Sequence, residues 1–359
     1  MASFAALSAL GTAVVCLSGC ANLGYYWQSV TGHLQMVNAA KPIDEWLADE
    51  EAPQKLKDRL ALSQKIRAFA SSELKLPDNS SYRRYADLKR PAVVWNVVAA
   101  PIDSLTLKTW CFPVAGCVGY RGYFNETEAR ALAEQLTQEG WDTSVYGVPA
   151  YSTLGKTNWL GGDPLLNTFI NYPEGELARM IFHELAHQVV YVADDTMFNE
   201  SFATTVERLG SARWLATQAP QAASQEYQEW DARRNQFRAL TFATRSRLDA
   251  IYKQKQPLAP DKTAQAAMKK IVMDEFRVQY QQLRSTWSGD PARWRGFDQW
   301  VKRANNAAFG AQAAYNEGVP GFEALFARSS QSWPQFYDEV RKLAALPKDE
   351  RRRALSITP

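Results

Sequence analysis

Three kinds of hydrophobic pattern follow one another along the chain. From Tyr25 to about Leu76 apolar residues recur at helical spacing, with Leu56, Leu60, Ile66, Phe69 and Leu74 on one stripe. Asp44 reads as the cap of a helix that contains Trp46 and Leu47, and Pro77-Asp78-Asn79-Ser80 breaks the region. The period then shortens. Ala92 to Ala99, rich in valine, predicts a strand, and Leu105 to Phe112 with Val118 to Phe124 predict a hairpin whose tip is CFPVAGC. Asn125-Glu126-Thr127-Glu128 starts a capped helix that runs through Ala129 to Gln138 and stops at Gly140. A strand from Thr143 to Val148 follows, and the glycine-containing stretch Lys156 to Asp163 reads as a loop positioned to overhang a cleft. Beyond Gly210 the pattern is almost wholly helical, with long amphipathic segments at about Ala222 to Lys255 and Thr263 to Trp287. The expected fold is α+β: a small mixed sheet in a zincin-like core, with a predominantly helical remainder. No repeat or low-complexity linker divides residues 20–359, so they are expected to form one unit with soft internal boundaries: 20–90 helical, 91–218 sheet and core, 219–359 helical.

Chemistry concentrates between Pro173 and Gly210, where an HExxH pattern precedes an acidic second helix. One helical turn separates His183 from His187, so both imidazoles face the same way and reach one ion. Glu184, beside the first histidine, is placed to take a proton from a water molecule at that ion. Leu177, Met180, Ile181, Leu185, Val189 and Val190 make the rest of this helix core-facing. Twelve residues lie between His187 and Glu200, enough to end one helix, turn and begin a partner. Glu200 is the better-placed third ligand, with Glu207 the alternative. Seven residues on from Glu200, Glu207 also suits a carboxylate that orients a ligating histidine from behind. Asp194 and Asp195 read as solvated turn residues or helix caps. The chain has only three histidines and two of them fall in this motif, which makes the pattern specific and excludes a histidine-rich metal store.

His183-Glu184-xx-His187 followed by Asn199-Glu200-Ser201-Phe202-Ala203 and Glu207 resembles the gluzincin clan, in particular the NEGFAxxxE segment of aminopeptidase N-like enzymes. Serine replaces glycine at 201, and the gap from His187 to Glu200 is shorter than is usual there. Val148-Pro149-Ala150-Tyr151-Ser152-Thr153-Leu154-Gly155, Pro173-Glu174-Gly175-Glu176-Leu177-Ala178 and the HELAHQ run together resemble a bacterial predicted-aminopeptidase lipoprotein family, over most of the chain. The resemblance implies a zinc peptidase with His183, His187 and Glu200 as ligands and Glu184 as general base. It also implies that an edge strand before the zinc helix pairs with the substrate, and Thr143 to Gly155 is the candidate. Tyr151 either stabilises the oxyanion or is ordinary strand packing.

The first twenty residues read as a targeting segment. Phe4 to Val15 is an apolar run too short to span a bilayer, and Leu17-Ser18-Gly19-Cys20 has the lipobox form that precedes a diacylated cysteine, although no Lys or Arg precedes the run. The expectation is a signal peptide over 1–19 and lipidation at Cys20, the alternative being a buried amphipathic start. Ala21 after the cysteine resembles an outer-membrane address, giving a lipid-anchored, periplasm-facing protein of the bacterial envelope. Cys111 and Cys117 then remain, either as a disulfide across a turn or as buried thiols. A formal net charge of +3 gives no reason to expect nucleic acid, and the run Arg351-Arg352-Arg353 reads as a solvated helix terminus.

Peptide substrates and Zn2+ are therefore expected, with aminopeptidase ahead of an envelope quality-control endopeptidase. An aminopeptidase needs a carboxylate for the substrate ammonium, for which Glu174, Glu176 and Glu207 are available acids. A non-catalytic zinc-binding scaffold is the alternative of another class, and the presence of Glu184 argues against it.

Overall fold

The computed structural model describes residues 24–112, 116–156, 158–254 and 261–356, so the lipobox and Cys20 lie outside the described residues. The architecture is α+β, with short sheets set among helices. The first helical region consists of three helices: α1 (24–39), α2 (Ile43–Ala48) and α3 (Gln54–Ser72). Pro42 and Pro53, which lack an amide hydrogen, stand immediately before α2 and α3. Asp44 accordingly lies in the first turn of α2 and does not cap it. One sheet joins β1 (Lys41–Pro42), β2 (Arg84–Ala86) and, in parallel, β8 (Leu165–Leu166).

The sheet nearest the functional residues has the order β6-β3-β7, formed by β6 (Arg121–Tyr123), β3 (Val94–Pro101) and β7 (Trp141–Val148). All its pairings are antiparallel, β3 and β7 matching from Val94 opposite Val148 to Pro101 opposite Trp141. Strand β7 therefore lies at an edge. Helix α4 (Glu126–Gln138) covers this sheet, and the Asn125 side chain caps it by accepting from the amides of Thr127 and Glu128.

The expected hairpin is shorter than its hydrophobic pattern. Only β4 (Trp110–Phe112) and β5 (Gly116–Val118) pair, with Cys111 opposite Cys117 and their sulfurs bonded. Leu105 and Leu107, read as strand residues, instead pack toward the C-terminal helices, while Val118 leads out to β6 on the other sheet. Tertiary burial has overridden the local alternation.

Helix α5 (Glu174–Ala186) carries the HExxH residues and packs against α6 (Thr196–Thr217). Leu177, Ile181 and Leu185 are fully buried, whereas Met180 is half-buried. A side chain at Gly210 would come within 2.6 Å of Leu74 and 3.0 Å of Phe182, so its absence allows α6 to lie this close to α5. The core around α5 and α6 draws on residues from Met36 to Leu355. A second, aromatic core sits between α7 (Gln221–Tyr252), α8 (Lys262–Ser285) and α9 (Arg295–Arg303), built on Phe237, Phe276, Trp287 and Trp294. Helix α10 (Asn306–Ala314) joins the two halves. Asn305 donates to the Thr143 carbonyl at 2.7 Å and Asn306 to the Pro101 carbonyl at 2.9 Å, fixing its start against the sheet. Helices α11 (Val319–Arg328), α12 (Trp333–Ala344) and α13 (Lys348–Leu355) close the main core.

Candidate metal centre between two cavities

Helix α5 ends where the chemistry requires it to. Residue 187 is its C-cap, and Gln188 is tied down at once: it accepts from Asn79 at 2.7 Å and donates to Ser81 at 3.1 Å. The loop that holds it is itself held by the buried Arg67, which donates to the carbonyls of Pro77 and Ser81. Asn199 clamps the turn between α5 and α6, donating to the Val192 carbonyl at 2.7 Å and accepting from the Val192 amide at 2.8 Å. Asp195 caps α6 but is not solvated; it is 1 % exposed and pairs with Arg351 at 2.9 Å. Arg351 is thus a buried anchor, and only Arg352 and Arg353 of the basic run are exposed. The sequence sees a charge run; the fold brings its first member back to a turn far away in the chain.

These constraints bring His183, His187 and Glu200 together, with one ligand atom from each lying within 4.8 Å of the others. The two Nε2 atoms are 3.1 Å apart, and Glu200 Oε2 is 3.3 Å from His183 and 3.7 Å from His187. Two ring nitrogens and a carboxylate oxygen converging on one point form a donor set that suits a small divalent cation. Burial lowers the His187 imidazole to about 4, leaving it neutral with a lone pair to offer. Burial also opposes charge on His183, but hydrogen bonding to Glu200 and Glu207 prevails and raises it well above its ordinary value. For Glu200, too, burial favours the neutral acid, and the two histidines outweigh it and lower its pKa.

Behind the donors is a chain of opposite charges. His183 Nδ1 donates to Glu207 at 3.0 Å, and the other oxygen of Glu207 accepts from Arg179. Burial would raise Glu207, yet Arg179 and then His183 hold its carboxyl at about 2. Arg179 also pairs with Glu176 at 3.3 Å, and Glu176 pairs with Arg234 at 2.6 Å. Glu207 therefore sits behind His183 and outside the three-ligand group, in the orienting position its spacing suggested. Ser201 accepts from the Gly318 amide at 3.1 Å, a contact that glycine at this position would not supply.

Glu184 faces two cavities. One, of about 310 Å³, is lined by the ligands, Tyr151, α1 and the β4/β5 hairpin; the other, of about 590 Å³, opens toward α7 and α9. Val148, Ala150, His183, Glu184 and Tyr315 border both, so the centre lies at their junction. Edge strand β7 ends there. The loop from 156 to 163 contributes to neither cavity among the described residues; Asp163 turns inward to Thr153 and to the Ser81 hydroxyl, which draws the loop away. Burial raises the Glu184 carboxyl to about 7.

Three tyrosines reach this centre without having stood out in the sequence. Tyr315 stacks over His183 with ring centroids 6.4 Å apart, and the charge of Glu200, with burial, keeps its phenol protonated. Tyr120 and Tyr146 also sense Glu200, burial raising Tyr146 to about 12. No local signal marks Tyr315 in the sequence; it is carried in by α10, whose Ala307 and Ala311 pack with Val98 and Ala100 of β3. Tyr151 lines the smaller cavity but packs on Phe124 and His33, with centroids at 5.5 and 5.8 Å.

Fold and site together define an α+β protein in which two histidines and a glutamate form a group able to hold a metal ion, with a second glutamate beside it at the meeting of two cavities. The chain belongs to the family described as "Putative aminopeptidase", whose pattern matches residues 24–355, and this membership supports a peptidase-like hydrolytic function. The comparisons with curated proteins and with solved structures give no match.

Proposed function

We propose that the protein is a zinc-dependent peptidase that removes residues from the amino termini of peptides, with His183, His187 and Glu200 holding the metal. The single observation that carries this reading is the convergence of three largely buried donors beside Glu184, at a point open to two cavities. A bound zinc ion would supply Lewis-acid polarisation of the peptide carbonyl and a lowered pKa for water. The protein's own residues do the rest. Glu184, titrating near neutrality, takes the proton from the attacking water and delivers it to the departing amine. Tyr315, held protonated, donates to the oxyanion, a role that suits it better than Tyr151 because its ring lies on His183. Glu207 and Arg179 fix the His183 ring. The end of β7 offers its edge to the substrate backbone.

The smaller cavity supports action near a terminus. Tyr25 and Ser29 of α1, with Phe112 and Val118 of the hairpin, wall it beyond the metal group, leaving space for about one residue. Anchoring at Cys20 belongs to the same reading, with the protein held by lipid at the bacterial outer membrane and facing the periplasm. Helix α1 begins four residues after that cysteine, and one of its faces leaves Trp27 71 % exposed beside exposed Val30 and Leu34, as suits a helix lying at a bilayer surface.

The test is metal content by mass spectrometry together with hydrolysis of peptides bearing free or acetylated amino termini. One zinc per chain and cleavage of free termini alone are expected. Glu184→Gln should keep the zinc and lose at least about a thousandfold in kcat, and Tyr315→Phe about a hundredfold. Equal cleavage of acetylated peptides would establish an endopeptidase, and a folded protein that takes up no zinc would overturn the mechanism.

A further inference from the structure

The larger cavity has four arginines in its walls against two glutamates. Arg179, Arg234, Arg238 and Arg293 line it, interleaved with aromatic rings such as Trp230 and Phe297. Three of these guanidinium groups are matched by carboxylates: Arg179 by Glu207 and Glu176, Arg234 by Glu176 at 2.6 Å, and Arg293 by Glu226 at 3.3 Å. Arg238 is different. It donates to the amide oxygens of Asn235 at 2.6 Å and Asn316 at 3.0 Å, both neutral, and among the described residues no carboxylate pairs with it. A guanidinium keeps its charge in any protein environment, and its planar fork matches a carboxylate bidentately. In a cavity walled by rings, such a charge attracts a complementary anion more strongly than it would in open water.

The acids near the centre point the same way. Glu176 and Glu207 are each engaged by arginine, and Glu174 accepts from Trp214 at 3.0 Å outside both cavities. Each of the three acids that the sequence made available for a substrate ammonium is thus already engaged. Of the charged side chains lining the larger cavity, Arg238 is the cation left without an opposite charge among the described residues. Asn316, which holds Arg238, directly follows Tyr315, so one segment carries both the oxyanion donor and the support of the guanidinium.

We propose that Arg238 binds the C-terminal carboxylate of a short peptide, so that the substrates are di- and tripeptides whose scissile bond lies at the metal centre. This rests on the peptidase reading and names its substrate class. The amino-terminal residue occupies the smaller cavity, and the remaining one or two residues occupy the larger, whose 590 Å³ suits a ligand of that size.

Leu-Gly and Leu-Gly-Gly, each as free acid and as C-terminal amide, separate the alternatives when given to the full-length zinc-loaded protein. Wild type is expected to favour the acids by at least about thirtyfold in kcat/KM. Arg238→Gln should reduce that ratio to about threefold or less by losing activity on the acids, with zinc content and thermal midpoint as in wild type, and Arg238→Lys should restore part of the preference. Equal cleavage of acid and amide by wild type overturns the inference while leaving the peptidase reading intact. If wild type cleaves neither, the peptidase reading fails, and calorimetric binding of the same peptides to Glu184→Gln decides the carboxylate site separately. Tighter binding of the acids, lost in Glu184→Gln/Arg238→Gln, supports it, and equal affinities overturn it.

Discussion

His183 shows how much of this site is decided by one side chain's neighbours. In the metal-free protein its pKa is raised, so at pH 7 the imidazole is protonated, and a metal must displace that proton to gain the Nε2 lone pair. Metal binding near neutral pH should therefore release about one proton, and affinity should fall roughly tenfold for each pH unit of acidification while His183 remains charged. Calorimetry in two buffers of different ionisation enthalpy measures this, and a buffer-independent heat would contradict it. Glu207→Ala removes the acceptor that fixes the Nδ1 proton and the orientation of the His183 ring, and should weaken metal binding by about ten- to a hundredfold. At this scale the facing pair His183 and His187 and the shared face of Glu200 and Glu207 were legible in the sequence, because helical spacing fixes which side chains of one helix lie together; that Glu200 joins the histidines while Glu207 stands behind them depends on how α6 packs on α5. Tyr315 was not legible, since it lies far from the motif in the chain and nothing in its local pattern distinguishes it from the other tyrosines.

Elements position these residues through contacts that local pattern does not encode. The α5–α6 turn is stiffened by Asn199 from within and by Arg351 from α13, whose guanidinium meets Asp195 at 2.9 and 3.0 Å. Removing one partner of a buried pair leaves the other charge without compensation, so Arg351→Ala should destabilise the protein by about 3–5 kcal/mol. Denaturant unfolding at neutral pH measures this; a loss below about 1 kcal/mol would mean that the pair does not hold the turn. Helices were well anticipated: α4, α7 and α8 lie within a few residues of their periodic segments because amphipathic repetition is a local property. The hairpin was overestimated, and the start read at Asp44 lies two residues inside a helix that Pro42 begins, for in one case burial and in the other proline decided.

Across the whole molecule, the C-terminal helices are part of the site's foundation. Trp333, Phe336, Tyr337 and Leu355 lie in the same core as Phe182, Phe198 and Phe202, and Tyr337 donates to the Leu74 carbonyl at 2.8 Å. A chain ending at residue 331 should lose cooperative thermal unfolding and any metal binding together, as followed by circular dichroism and metal content; a cooperative, metal-binding fragment would contradict this. The sequence by itself determined the α+β class, the ligand motif and the glutamate beside it, because periodicity and spacing act over one or two helical turns. Only the tertiary structure decided that α10 brings Tyr315 over His183, that Arg351 returns to Asp195, and that Arg238, with no carboxylate partner among the described residues, faces the cavity beside the metal group. Each joins residues that are distant in the chain, and their proximity comes from core packing and charge pairing, which no local pattern records.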